Sequence, residues 1–338
     1  MRQGSGRITT VEMHTGGEPV RIVTGGWPPI EGRTILDKRR FVRAEQDRWR
    51  RVLMAEPRGH ADMYGALLVE PDLPEADLAV LFLHNEGWST MCGHAVIALG
   101  RYAVDRGLVP VQEPETLVRI QCPCGLVTAK VTVTNGRAGR VRFESVPAFA
   151  YARDAVVLAD PFGPVGMDIG YGGAFYGILP AAEIGLDLEA SPLGRIVEAA
   201  LALKRAAAEQ IPLSHPGEPD LAFLYGIILT DGFDGGGGRP SANICVFADG
   251  QIDRSPTGSG VTARMAVMHR RRQVGLGEPR RFRSITGAEF TAAVLAETRA
   301  GPHPAVTVEV GGEAFYTGEA GYWVEPEDPL GEGFLLRR

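Results

Sequence analysis

Residues 91–107 read Met91-Cys92-Gly93-His94-Ala95-Val96-Ile97-Ala98-Leu99-Gly100-Arg101-Tyr102-Ala103-Val104-Asp105-Arg106-Gly107. An unbroken apolar run follows His94, polar residues then appear at helical spacing, and Gly107 supplies a stop, so the stretch predicts a capped helix of about thirteen residues with Cys92 at its N-terminus. A second stretch has the same grammar. Pro256-Thr257-Gly258-Ser259-Gly260 leads into Val261-Thr262-Ala263-Arg264-Met265-Ala266-Val267-Met268, then His269-Arg270-Arg271-Arg272 and a stop near Gly275. Thr257 stands where Cys92 stood. The two stretches lie about half the chain apart, which predicts duplicated halves whose helix N-termini flank one cleft. Basic residues in a last helical turn complement the helix dipole, so the arginine run is read as structural and not as a nucleic-acid patch.

The rest of the chain agrees with a two-part globular protein. At roughly 150 residues per domain, 338 residues favour two domains. Hydrophobic residues at 44% and charged residues at 22% exclude a disordered or fibrous chain. With 35 Lys and Arg against 41 Asp and Glu, the net charge of −6 gives no footprint for nucleic acid or an anionic membrane. The N-terminal MRQGSGRITTVEMHTGGEP carries no apolar leader core, and no stretch approaches a membrane span, so a cytoplasmic protein is expected. The 44 Gly and 24 Pro suit many short strands and tight turns, and argue against an all-α fold.

Ile8 to Glu12, Leu117 to Gln121, Leu126 to Val133 and Val141 to Glu144 are short, β-branched and bounded by turn residues, and they predict strands. Asn135-Gly136 predicts a hairpin, because both residues tolerate positive φ. Ala305 to Val310, Gly311-Gly312 and Glu313 to Thr317 read as strand, turn and strand, with one more strand at Gly321-Tyr322-Trp323-Val324. Leu193 to Gln210 predicts an amphipathic packing helix through Ile196, Ala199, Ala200, Leu203 and Ala207. Gly235 to Gly238 predicts a loop tip. Four cysteines in so long a chain make no disulfide framework, and Cys122-Pro-Cys124 lacks the spacing of a metal site, so reduced thiols and no metal are expected.

The chemistry centres on Cys92. A thiol at a helix N-terminus faces unpaired N–H groups and the positive dipole end, which favour the thiolate and predict a lowered pKa and a competent base. Gly93 lets a substrate approach the backbone and His94 adds a polar contact. The free N–H groups after Cys92 and Thr257 suit a carboxylate, and Asp253 suits an ammonium, so the cleft reads as built for an amino acid. Abstraction of its α-proton leaves an enediolate-like charge that such donors stabilise. No sequence signature for pyridoxal phosphate or a metal accompanies these residues.

Four blocks then carry a resemblance: His14-Thr15-Gly16-Gly17-Glu18-Pro19, Glu56-Pro57-Arg58-Gly59-His60-Ala61-Asp62-Met63, Met91-Cys92-Gly93-His94 and Asp253-Arg254-Ser255-Pro256-Thr257-Gly258-Ser259-Gly260. In order and spacing, from about residue 8 to 325, they resemble the proline racemase family, which includes hydroxyproline epimerases and trans-3-hydroxy-L-proline dehydratases. The resemblance implies the α+β, diaminopimelate epimerase-like fold: two pseudo-symmetric mixed α/β halves, each a curved sheet around a central helix, with the site in the cleft between them. It implies a first half at 1–147 carrying Cys92 and rejoined by 320–338, and a second at 148–319 carrying Asp253 and Thr257. It also implies a homodimer, no cofactor and a small-molecule substrate, hydroxyproline or proline.

One departure bears on the reaction. Racemases and epimerases of the family place a second cysteine where this chain has Thr257, whose hydroxyl offers no accessible anion near neutral pH. The Cys and Thr pair is similar to that of the trans-3-hydroxy-L-proline dehydratases. In trans-3-hydroxy-L-proline the hydroxyl and the α-hydrogen share a ring face, so Cys92 alone serves a syn elimination giving Δ1-pyrroline-2-carboxylate. By the same resemblance Gly93, His94, Asp253, Gly258 and Ser259 bind substrate, with His94 an alternative acid for the leaving group. A 4-hydroxyproline 2-epimerase or proline racemase, a catalytically silent amino-acid-binding homologue and a thiol-redox protein are the alternatives. His14, Glu18, His60 and Asp62 are read as shaping loops, Phe290 and Cys245 as core.

Overall fold

The computed structural model describes residues 7–336; the leader reading for residues 1–6 and the last two residues of the 320–338 segment lie outside the described residues. The chain begins with a hairpin, Ile8–Thr15 against Glu18–Gly25, turned by Gly16 and Gly17 at φ 63° and 90°. The sheet grows by a parallel neighbour, Tyr64–Val69, then Leu78–His84 antiparallel to it and Glu115–Cys122 parallel to that. Gly125–Thr134 and Arg137–Glu144 complete it as successive antiparallel strands. Cys122-Pro123-Cys124-Gly125 is the turn joining two of these strands. The Asn135-Gly136 hairpin forms as expected, with φ of 52° and 71° at its two turn residues.

The second run of strands has its own order. Phe149–Ala159 pairs with Gly163–Tyr171, which pairs with Phe175–Pro180; Leu224–Thr230 lies parallel to the last and antiparallel to Ser241–Phe247. Arg280–Arg283, Glu289–Ala300 and His303–Gly312 follow. His303–Gly312 also pairs with Arg137–Glu144, joining the two sets of strands.

Five α-helices are described: α1 (Ile35–Glu45), α2 (Asp47–Met54), α3 (Gly93–Asp105), α4 (Leu193–Gln210) and α5 (Gly258–Arg270). The fold is α+β, with one sheet curved around α3 and the other around α5. Both central helices are buried on every side over their first turns, α3 among apolar residues and α5 with Ser259, Thr262 and Arg264 buried beside its apolar ones. Gly100 permits the approach, since a Cβ there would meet Val141 at 3.1 Å and Ala129 at 3.2 Å. Outside, α4 buries the expected stripe of Ile196, Ala199, Ala200, Leu203 and Ala207; each large aliphatic residue so buried contributes about 1.5–3 kcal/mol. The basic end of α5 is tied down, Arg271 reaching Asp168 and Asp154 at 2.6 Å each.

Two strand expectations are corrected. Gly311-Gly312 is no turn between paired strands: Ala314–Tyr322 leaves its predecessor and pairs with Ile8–Thr15. Gly312 is needed for close packing, because a Cβ there would lie 2.6 Å from the Phe290 ring. Gly321 and Tyr322 end that same strand and do not start another.

Helices α1 and α2 were not legible in the hydropathy pattern, because their inner faces carry Lys38, Arg39 and Arg50. These bases bury their stems and donate to carbonyls, Arg39 to Trp88 at 2.6 Å and Arg50 to His84 at 2.8 Å. The available signal was the capping box of α1, in which Thr34 and Asp37 exchange side-chain to backbone bonds of 3.1 Å.

Candidate active site

Cys92 is the N-cap of α3 and Thr257 the N-cap of α5, and the two helices meet end to end. A Cβ on Gly93 would lie 2.5 Å from the Gly258 Cα, and one on Gly258 would lie 2.7 Å from the Gly93 Cα. Only glycine at both positions lets the first turns approach this closely, and their opening N–H groups have no carbonyl partner within either helix. Cys92, Gly93, His94, Asp253, Thr257, Gly258 and Ser259 all line one cavity of about 260 Å³. Every residue expected from the sequence to form the site is therefore brought to one place. The room left for solvent is about 10 Å³, about one water.

The two caps differ in geometry. Cys92 has extended backbone, and its sulfur accepts the Ala95 N–H at 3.4 Å and contacts His94 Nδ1 at 3.1 Å. Thr257 sits at φ 66°, in the left-handed region that costs a β-branched residue strain. Its hydroxyl is buried, makes no cap bond to its own helix and has the buried Cys245 thiol beside it. The conformation is imposed from behind. Ser255 Oγ accepts the Thr257 N–H at 3.1 Å, Asp253 Oδ1 accepts the Ser255 N–H at 2.7 Å, and Asn243 holds the Pro256 carbonyl at 3.1 Å. Arg264 of α5 in turn donates to Asn243 at 3.0 Å, its guanidinium pulled down to about 10 by burial.

The loop 253–257 is also fastened to the N-terminal hairpin. The Arg254 N–H donates to Glu18 Oε2 at 2.7 Å, and the Arg254 guanidinium reaches Asp62 at 2.9 Å. Burial is the main force pushing the Glu18 carboxyl well up, and the neighbouring Asp253 adds to it. His14 and His60 bond to nearby backbone and line another cavity, and Phe290 lies in the core against Gly312.

One electrostatic expectation is reversed. Burial pushes the Cys92 thiol well above its ordinary value; the Ala95 N–H pulls it down, but Asp253 and Glu18 add to the rise. The helix-end effect is present and desolvation outweighs it. Burial likewise lowers His94, so thiol and imidazole face each other as neutral groups.

Sequence reasoning did not find the aromatic wall of the cavity: Tyr64, Tyr176, Tyr225 and Phe247, with Met91. Tyr64 bonds Ser89 at 2.5 Å and stands edge-on to the His94 ring at 4.8 Å, and Tyr176 bonds Ser259 at 2.7 Å. The four rings come from strands outside the two helix motifs, and no spacing in the sequence links them to Cys92, whereas Met91 is its chain neighbour.

Known proteins repeat this architecture. The chain matches the family described as Proline racemase over residues 10–335. It is 55% identical over 326 residues to a trans-L-3-hydroxyproline dehydratase of Saccoglossus kowalevskii, covering 96% of this chain and 100% of that one. Identity to the human trans-3-hydroxy-L-proline dehydratase is 53% over 339 residues, covering 99% and 96%. Among solved structures, a hydroxyproline epimerase from Agrobacterium vitis, with bound trans-4-OH-L-proline, superposes with a TM-score of 0.93 at 28% identity, covering 99% of this chain and 96% of that one. A match along nearly the whole chain, together with two capped helices meeting over one cavity, places this protein in the proline racemase family.

Proposed function

We propose that this chain catalyses the cofactor-independent dehydration of trans-3-hydroxy-L-proline to Δ1-pyrroline-2-carboxylate. The observation that carries the reading is the asymmetry of the two caps over one cavity: a thiol at the start of α3 and a hydroxyl at the start of α5. One base on one face suits a reaction whose proton and leaving group depart from the same face. The full-length likeness to dehydratases at 53–55% identity supports it.

The substrate carboxylate is held by the first-turn N–H groups of α3 and α5, and its ring ammonium by Asp253. That ammonium, brought beside the sulfur, opposes the burial that keeps Cys92 protonated and favours the thiolate. The thiolate removes the α-proton. The C–H electrons form a double bond to C3 as the C3–O bond breaks, and the new thiol returns its proton to the departing hydroxide, releasing water. The enamine then takes a proton on C3 and gives one up from the ring nitrogen, becoming the cyclic imine. His94 holds the sulfur, while Thr257 packs against the opposite ring face and positions it. The same proposal takes the working protein to be a cytoplasmic homodimer built of halves 1–147 with 320–338, and 148–319.

The test is incubation of the purified protein with trans-3-hydroxy-L-proline, without added cofactor, following loss of water by mass, with trans-4-hydroxy-L-proline and L-proline run alongside on a chiral column. Dehydration of the 3-hydroxy compound, abolished in Cys92→Ser, is expected. An epimerised product would overturn the single-base mechanism, and a fully active Cys92→Ser variant would remove Cys92 as the base.

A further inference from the structure

Hydroxide is a poor leaving group, so the elimination proposed above calls for a hydrogen-bond donor at the departing oxygen, on the face of the ring that meets the sulfur. The donors around Cys92 sort by what already holds them. The His94 ring is engaged twice, contacting the sulfur at 3.1 Å through Nδ1 and donating to the backbone carbonyl of Pro19, a residue with no N–H of its own. The Tyr176 and Ser259 hydroxyls bond each other at 2.7 Å, at the start of α5. Thr257 also stands at the α5 end.

Tyr64 is placed differently. Its ring stands edge-on to that of His94 at 4.8 Å, and its hydroxyl comes within hydrogen-bonding reach of the Cys92 sulfur. Behind it, Ser89 Oγ lies 2.5 Å from the phenol oxygen, and the Tyr225 hydroxyl joins the same knot. All three side chains are buried. Their backbones are fixed by one strand, Leu78–His84, in which His84 pairs with Tyr64 and Phe82 with Ser89. With Ser89 donating to the phenol oxygen, the phenol proton is left for the cavity that Tyr64 and Cys92 both line. Burial is the main force holding the Tyr64 hydroxyl well above the ordinary phenol range, so it stays a donor through neutral and mildly alkaline pH.

In trans-3-hydroxy-L-proline the hydroxyl and the α-hydrogen share a ring face, so a sulfur placed to take the α-hydrogen has the 3-oxygen beside it. A donor within reach of that sulfur is within reach of the leaving oxygen. We propose that Tyr64 is a further catalytic residue, whose hydroxyl, steadied by Ser89, donates a hydrogen bond to the 3-oxygen of the substrate and takes up the charge that grows there as the C3–O bond breaks. The proposal rests on the dehydration reading given above. The proton that completes the departing water still comes from the Cys92 thiol, and Tyr64 keeps its own.

The test sets two leaving groups against each other in the full-length enzyme. Fluoride departs as a stable anion and needs far less help than hydroxide, so trans-3-fluoro-L-proline asks the same of the base and little of the donor. Tyr64→Phe, which keeps the ring, should lower kcat for trans-3-hydroxy-L-proline by about 100-fold and leave fluoride release from the fluoro compound within about threefold of wild type. Ser89→Ala should show the same discrimination with a smaller loss, about tenfold on the hydroxy compound. Melting by circular dichroism checks that both variants are folded. An equal loss on the two compounds would assign the hydroxyl to the sulfur or to packing and overturn the proposal, as would an undiminished kcat on the hydroxy compound. Absence of fluoride release by the wild-type enzyme overturns it too, because a base-led elimination must expel a leaving group better than hydroxide. In each of these cases dehydration by the wild-type enzyme leaves the function standing; failure of the wild-type enzyme to dehydrate trans-3-hydroxy-L-proline removes the function and the role of Tyr64 with it.

Discussion

Replacing Gly93 by Ala should separate the two helix ends that meet in the cavity. The added Cβ would lie 2.5 Å from the Gly258 Cα, 2.9 Å from the Gly258 carbonyl carbon and 3.0 Å from the Phe143 ring. Non-bonded carbons rest about 3.5–4.0 Å apart, so α3 and α5 must part by about 1 Å. The first two obstacles are backbone atoms with no rotamer to change, and overpacking of this kind costs about 1–3 kcal/mol. Function should suffer more than stability, because in the proposed reaction both helix ends hold the same carboxylate, and a displacement of about 1 Å at a reacting centre costs about 100-fold in rate. The assays are steady-state dehydration of trans-3-hydroxy-L-proline and thermal melting by circular dichroism. The expected result is a folded protein melting several degrees lower, with activity down by about two orders of magnitude. Gly166→Ala, where an added Cβ meets nothing within 4 Å, is the control. A Gly93→Ala variant with activity within about threefold of wild type would refute the claim that contact between the two helix ends sets the site.

Thr257→Cys restores a thiol facing Cys92, and 2-epimerisation of hydroxyproline or racemisation of proline should appear or rise on a chiral column; no change would count against the account of the missing second acid. Glu18→Gln should retain most activity, because the amide oxygen can still accept the Arg254 N–H, whereas Glu18→Ala should lose it by freeing that N–H. The sign for Glu18 follows from its raised pKa: its stability is present at low pH and lost as pH rises through the folded-state value, so Glu18→Gln should melt higher than wild type on the alkaline side. Alkylation of Cys92 by iodoacetamide should be slow near neutral pH and rise only above the ordinary thiol range, since burial holds the thiol protonated. Rapid alkylation at neutral pH in the absence of substrate would show that the helix end outweighs burial after all.

The sequence by itself determined the two central helices, their separation by half a chain, much of the strand and turn grammar around them and which residues stand as candidates for the site. Those are local properties: the cap position, the apolar run after Cys92 and the Gly107 stop are helix signals written in neighbouring residues. Even the difference between Cys92 and Thr257 is readable there, because it is a difference of side-chain chemistry. Tertiary structure decided the rest. The partner of Gly258 is Gly93, a contact across the whole protein. Gly311-Gly312 looks like a turn in sequence and is a packing device, because the neighbour it accommodates, Phe290, belongs to another strand. The helices α1 and α2 escaped hydropathy because their buried positions are basic and satisfied by distant carbonyls. The state of Cys92 shows the difference most clearly: the helix end that lowers a thiol is local and legible, whereas the desolvation that raises it exists only once both halves have closed around the sulfur, and at this site burial is the larger effect.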